Sequence, residues 1–113
     1  MSNVSGRKQE LLPSAARTAT ATSDSVGLPL DATGIGILMV TSAYTSGTFT
    51  AKLQTSYDGG STWLDVTTAT TSAVAATGFE AKYATIPCGP IVRCVNTGAT
   101  TPVATNQVFV IYT

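Results

Sequence analysis

The sequence has no histidine, only two cysteines, and few charges. Six Lys or Arg balance six Asp or Glu among 113 residues, a net charge of zero. Without an imidazole there is no Ser-His-Asp or Cys-His pair, no histidine-ligated zinc and no switch near neutral pH. Sparse, balanced charge lacks the basic patch that nucleic-acid binding needs to displace counterions. Charged residues reach 11%, under half the ~25% usual in soluble domains. The longest apolar runs fall short of the ~18 residues of a membrane span. Near the start, Leu11-Leu12-Pro13 is too short for the apolar part of a secretory signal. These shortages predict a protein that binds neither nucleic acid nor membrane, holds no metal or cofactor, and is made in a cytosol. Cys88 and Cys94, in PCGPIVRC, allow a small-loop disulfide, but in a cytosol they read as reduced thiols filling core or turn positions.

The length is that of one domain with a core of its own. Residues 1–17 differ from the rest, with Arg7, Lys8 and Arg17, no aromatics and one apolar pair. They predict an extended or flexible N-terminal arm reaching about 55–60 Å, ordered on a neighbouring subunit, ahead of a domain over 18–113. Everything from Thr18 onward has the period-two pattern of strands. Edge strands are expected over 18–25 and 26–30, the latter holding Pro29. The run GIGILMVTSA over 34–43 is apolar on both faces, which marks a central strand covered on both sides. Over 48–57, Phe49, Ala51, Leu53 and Thr55 alternate with Thr50, Lys52, Gln54 and Ser56, and 61–68 follows as the hairpin partner. Over 78–86, Phe79, Ala81 and Tyr83 oppose Glu80, Lys82 and Ala84. Strands are also expected over 91–96 and 107–113. Seven or eight strands separated by Gly, Pro and Asp predict an all-β fold, an antiparallel β-sandwich of jelly-roll or related Greek-key type.

The sharpest local pattern is Ser56-Tyr57-Asp58-Gly59-Gly60-Ser61-Thr62-Trp63, which is similar to the Asp-box hairpin of sialidases and of many non-enzymatic β proteins. Its physics is that of a turn. The Asp58 carboxylate accepts backbone N–H groups, Gly59 and Gly60 supply positive φ, and Trp63 packs under the loop. Asp58 with Asp65, or Glu80 with another acid, is the only carboxylate pairing on offer for glycoside hydrolysis. Asp58 is committed to its turn and Asp65 sits on a strand facing solvent, so no catalytic residue is expected. Tyr44, Tyr57, Trp63 and Tyr83 are candidates for a sugar-stacking face, or else for core and hairpin-end positions. Thr-rich outer faces are neutral surfaces that a partner can cover without stranding charge.

The run from Gly47 to Val66, with its LQ-S-DGG-TW-DV hairpin, resembles small β-sandwich structural proteins of tailed bacteriophages. So do the later segment Gly89-Pro90-Ile91-Val92-Arg93-Cys94-Val95 and the closing V-F-V strand. The resemblance covers residues 26–113, and size and arm favour the capsid decoration, or cement, proteins. It implies a non-enzymatic virion protein, made in the host bacterial cytoplasm, that binds the outer surface of an expanded capsid across capsomer boundaries. Its partners would be the major capsid protein and further copies of itself, as a dimer or trimer. Arg7, Lys8, Glu10, Leu11 and Leu12 would form the capsid-contact arm, and removing residues 1–17 would leave a folded domain that binds less well. The alternative implied is a tail or baseplate sandwich that binds host-surface glycans.

Overall fold

Alternation along the chain sorts side chains to two faces of a sheet, because successive residues of a strand point in opposite directions. Phe49, Ala51, Leu53 and Thr55 are all buried, while Thr50, Lys52 and Gln54 between them are half-buried. The computed structural model describes residues 7–29, 32, 34–84 and 89–113. Seven strands carry them: β1 (Arg7–Arg17), β2 (Ala21–Thr22), β3 (Val26–Gly27), β4 (Ile35–Ser56), β5 (Leu64–Thr70), β6 (Gly78–Tyr83) and β7 (Ile91–Tyr112). All pairings are antiparallel and belong to one sheet, with no helix among the described residues.

The centre of the sheet is a long ribbon. β4 and β7, each 22 residues, pair from Ile35↔Tyr112 to Ser56↔Ile91. Midway the ribbon bends. Ser46 faces Val103 and Thr48 faces Ala99, so residues 100–102 of β7 bulge opposite Gly47 alone. Thr100 and Thr101 take positive φ of 60° and 53°, and Gly47 takes 71°. A Cβ at Gly47 would lie 2.6 Å from the Ala99 carbonyl oxygen, so both its dihedral and its space require glycine there. Ser46 Oγ donates to the Thr101 carbonyl at 2.7 Å and Tyr44 Oη to the Gly47 carbonyl at 2.9 Å, which ties the corner together.

The bend divides the sheet into two halves that close on one core. In the first half, β1, the later part of β7, the earlier part of β4 and β6 lie side by side. In the second, β2 and β3, the earlier part of β7, the later part of β4 and β5 do so. Ile37, Met39, Val108 and Val110 of the first half join Phe49, Leu53, Val66, Val92 and Cys94 of the second in a single apolar cluster. The result is all-β and sandwich-like, built from one folded sheet whose central ribbon runs through both halves.

Two expectations change here. The segments 34–43 and 48–57 are one strand, as are 91–96 and 107–113, because the intervening Gly and Pro positions make a bend and bulge in place of chain reversals. Of the arm expected over residues 1–17, Arg7–Arg17 is a strand of the chain's own sheet, paired with β7 from Arg7↔Tyr112 to Arg17↔Ala104, and residues 1–6 lie outside the described residues. Leu11 and Leu12 both enter the core, so this segment is not available to lie free on a neighbour. Register shifts between Glu10 and Leu12 and between Leu12 and Ala15 let two adjacent leucines face inward and accommodate Pro13.

Candidate interaction face

Residues directly opposite one another on antiparallel neighbours share a face. In the first half of the sheet the inward set from β4 is Ile35, Ile37 and Met39, all buried. The outward set forms cross-strand rows. Tyr83, Gly36, Ile111 and Lys8 make one, and Ala81, Leu38, Phe109 and Glu10 the next. A third holds Phe79, Val40 and Gln107. Phe79 is 80% exposed and Tyr83 65%, while Leu38, Val40, Phe109 and Ile111 are half-buried. The strand expected to be covered on both sides is thus covered by its own chain on one side only, among the described residues.

Details of sequence keep this face flat. A Cβ on Gly36 would stand 2.5 Å from the Lys82 carbonyl oxygen and 3.0 Å from the Tyr83 ring, so the missing side chain lets Tyr83 lie across the row. Lys8 holds its ammonium 4.5 Å from the Phe109 ring centroid, and Arg7 its guanidinium 4.8 Å from that of Tyr112. Glu10 accepts a hydrogen bond from the Gln107 amide. An open groove of about 700 Å³ runs along the end of the face, floored by Leu38, Ala81, Tyr83 and Ile111 with Arg7 and Lys8 at its rim.

The outer face of the second half is built differently. Lys52 Nζ and Gln54 Nε2 reach the two oxygens of Asp65 at 3.1 and 2.9 Å, and Arg93 Nε donates to Gln54 Oε1 at 2.8 Å. The hydrogen bond from Gln54, followed by that from Lys52, holds the Asp65 carboxyl below its usual range. Arg93 also stacks over Trp63, 4.3 Å from the ring centroid. Every polar group named in this chain has a partner inside the face, so it offers a neighbour little reward.

Beside it, the turn after β4 holds Asp58. Its Oδ1 accepts from Thr62 N at 2.8 Å, from Ser61 N at 3.1 Å and from Ser56 Oγ at 2.8 Å, with Gly59 and Gly60 at φ of 76° and 99°. The backbone N–H of Thr62 leads these bonds in pulling the Asp58 carboxyl down to about 2. That carboxylate is an acceptor locked into a turn. Asp65 is engaged as above, and Glu80 accepts from the backbone N–H and hydroxyl of Ser72 at 2.6 and 2.8 Å. The acids weighed as a hydrolytic pair therefore serve three separate local structures. Among the described residues no three His, Cys, Asp or Glu side chains gather around a point that would hold a metal.

The four aromatics weighed as a sugar platform do not share a face either. Tyr44 ties the corner, Tyr57 and Trp63 belong to the turn of the second half, and Tyr83 lies in the first half. Cys94 is buried in the core, where loss of hydration pushes its thiol up to about 11; its pairing with Cys88 lies outside the described residues. Alternation and motif gave no sign of three features: Arg17 Nε and Asn96 Nδ2 both donating to Asn106 Oδ1 at the bend, the one-sided cover of the first half, and the placing of acid and base either side of Ala81 on β6. The last was written in the order Phe79-Glu80-Ala81-Lys82-Tyr83. The sequence matches no family model and no curated protein.

Proposed function

We propose that this chain is a non-enzymatic structural virion protein, a capsid cement that binds the outer surface of an expanded phage shell across capsomer boundaries. The observation that carries the reading is the apolar outer face of the first half-sheet, set against the self-satisfied outer face of the second. Phe79 and Tyr83, the two most exposed large apolar side chains among the described residues, lie on this one face beside half-buried Leu38, Val40, Phe109 and Ile111. On a chain of zero net charge such a face suits docking onto a broad protein surface. The likeness of residues 47–66 and 89–95 to tailed-phage sandwiches supplies the kind of surface.

Magnitudes fit many weak contacts better than one strong one. Four strands about 4.8 Å apart and five residues at about 3.4 Å each give a face on the order of 300 Å². A standard stable interface takes roughly 800 Å² from each partner. A single copy therefore holds weakly, and the shell is stabilised by the sum over symmetric copies and by linkage among copies that associate as dimers or trimers. Binding the expanded shell better than its precursor shifts the equilibrium toward expansion by that difference in affinity.

The experiment is the copy number of the protein in purified particles, by quantitative mass spectrometry against the major capsid protein. Hundreds of copies, at a simple ratio to the capsid subunit, are expected. A few to a few dozen copies would overturn the reading and move the protein to the tail, where glycan binding would lead. Leu38→Lys, at the centre of the face, should reduce occupancy while the thermal unfolding of the isolated protein stays cooperative.

A further inference from the structure

β6 is an edge strand. Among the described residues its ladder partner is β4 alone, from Gly36↔Tyr83 to Thr41↔Gly78. Ala84 N donates to the Ile35 carbonyl at 2.8 Å, which fixes the alternation of the ladder. Ala84, Lys82, Glu80 and Gly78 aim their N–H and C=O groups at β4, and Tyr83, Ala81 and Phe79 aim theirs outward. The outward row is the ready template for another strand.

Along this edge the side chains run aromatic, acid, Ala, base, aromatic; reversing the strand keeps the aromatics and Ala in place and exchanges acid for base. We infer that two copies of the chain join β6 to β6 in antiparallel fashion about a two-fold axis at Ala81, making one continuous sheet across the pair. In that register Ala81 faces Ala81 of the second copy, and Phe79 faces the second copy's Tyr83. These are the residues whose backbone groups point outward, so each facing pair exchanges two N–H···O bonds, roughly six across the seam. Glu80 then faces Lys82 of the second copy in the non-hydrogen-bonded positions, where opposed side chains approach most closely. The aromatics meet on the outer face and the ion pairs on the inner side, where Ser72 already orients the Glu80 carboxylate.

Charge selects this register. Sliding the pair by two residues in one direction sets Glu80 against Glu80, and in the other sets Lys82 against Lys82. A parallel pairing in register does both at once. Charged residues commonly protect an edge from any partner; here their opposite signs and symmetric placement admit one arrangement and penalise its neighbours. The pairing gives a surface to the self-association in the capsid reading, yet it rests on β6 alone. It also joins two apolar faces into one, about doubling the area offered to a common surface.

The test needs no particle: it is the mass of the isolated full chain by light scattering or sedimentation equilibrium over a concentration series. A dimer is expected. Glu80→Lys alone and Lys82→Glu alone each place like charges across the seam twice and should weaken dimerisation roughly tenfold or more. The double exchange restores opposite charges and should recover it. Ala81→Pro removes an N–H that points away from β4, so it should leave a folded monomer. A monomeric wild type at millimolar concentration, or single variants as dimeric as the wild type, would overturn the inference. Particle copy number tests the capsid reading separately, and either can fail without the other.

Discussion

Asn96 Nδ2 donates to Asn106 Oδ1 across 3.0 Å, although the two residues stand ten positions apart in one strand. A straight strand would separate them by about 33 Å, so the contact is the bend of the ribbon expressed in two side chains. Arg17 Nε donates to the same oxygen at 2.9 Å, which brings the end of β1 into the joint. Both amides are buried, and Asn96 Oδ1 and Asn106 Nδ2 have no hydrogen-bond partner among the described residues. Arg17 fixes which way the Asn106 amide turns, since its Nε–H needs an acceptor. Asn106→Ala should cost about 2–3 kcal/mol by leaving the Asn96 and Arg17 donors unmet. A cycle with Asn96→Ala should show about 1 kcal/mol of coupling, read from urea unfolding of the single and double variants. Additive costs would mean the two amides act independently.

β1 should prove part of the folding unit. Leu11 and Leu12 are 8% and 6% exposed, and the strand covers one side of β7 along the first half. Leu12→Ala is expected to cost about 2–4 kcal/mol. Removing residues 1–17 takes away both leucines, the Arg17 bond and the ladder, and should give a chain without cooperative thermal unfolding by circular dichroism. A truncated protein that melts as sharply as the full chain would restore the free arm expected from sequence.

That expectation shows where the sequence was readable. Alternation over Phe49, Ala51, Leu53 and Thr55 named the buried side of β4 correctly, because period two is a property of every strand. The doubly apolar run over 35–40 was also legible, though among the described residues only one of its faces is covered by the chain itself. What sequence pattern hides is irregularity. Leu11 and Leu12 are adjacent, so an ideal strand would send one of them to solvent, and only a bulge turns both inward. Ser46-Gly47 and Thr101-Pro102 carry the composition of a turn, and the same backbone freedom serves a bend within a strand. The Asp58 carboxylate and the two glycines of the turn were legible because their partners lie within four residues; the Ser56 hydroxyl that bonds Asp58 and Gly60, and the stacking of Arg93 on Trp63, were not. The apolar outer face of the first half was not legible either, since it is assembled from β1, β4, β6 and β7 by register.

The Asp58 turn should also set part of the acid sensitivity. Its folded carboxyl lies at about 2 against 3.8 for the ordinary group, so the unfolded chain binds protons first as pH falls. Stability from this group is complete above the ordinary value and is lost as pH drops through the folded one. Asp65, also lowered, acts in the same direction. The gap in urea midpoint between wild type and Asp58→Ala should therefore be constant from pH 7 to 5 and close between about pH 4 and 2. A gap that persists at pH 2 would show that the turn is held by something other than the ionised carboxylate.

The corner of the ribbon stores strain that substitution can release or increase. Thr100 is β-branched yet sits at φ 60°, a region that costs an L-residue roughly 1–2 kcal/mol. Glycine has no such cost there but loses about 0.5–1 kcal/mol more backbone entropy on folding. Thr100→Gly should therefore stabilise by about 0.5–1 kcal/mol, seen as a higher melting temperature. Gly47 lies opposite on β4 and has the reverse requirement. A methyl group there meets the Ala99 carbonyl oxygen and the Pro102 backbone, each at 2.6 Å, in addition to the cost of its positive φ. Gly47→Ala should lose about 3 kcal/mol or more. Because the Asn96–Asn106 contact depends on the same bend, combining Gly47→Ala with Asn106→Ala should cost less than the sum of the two. Strict additivity in that pair would separate the corner from the joint it is held to form.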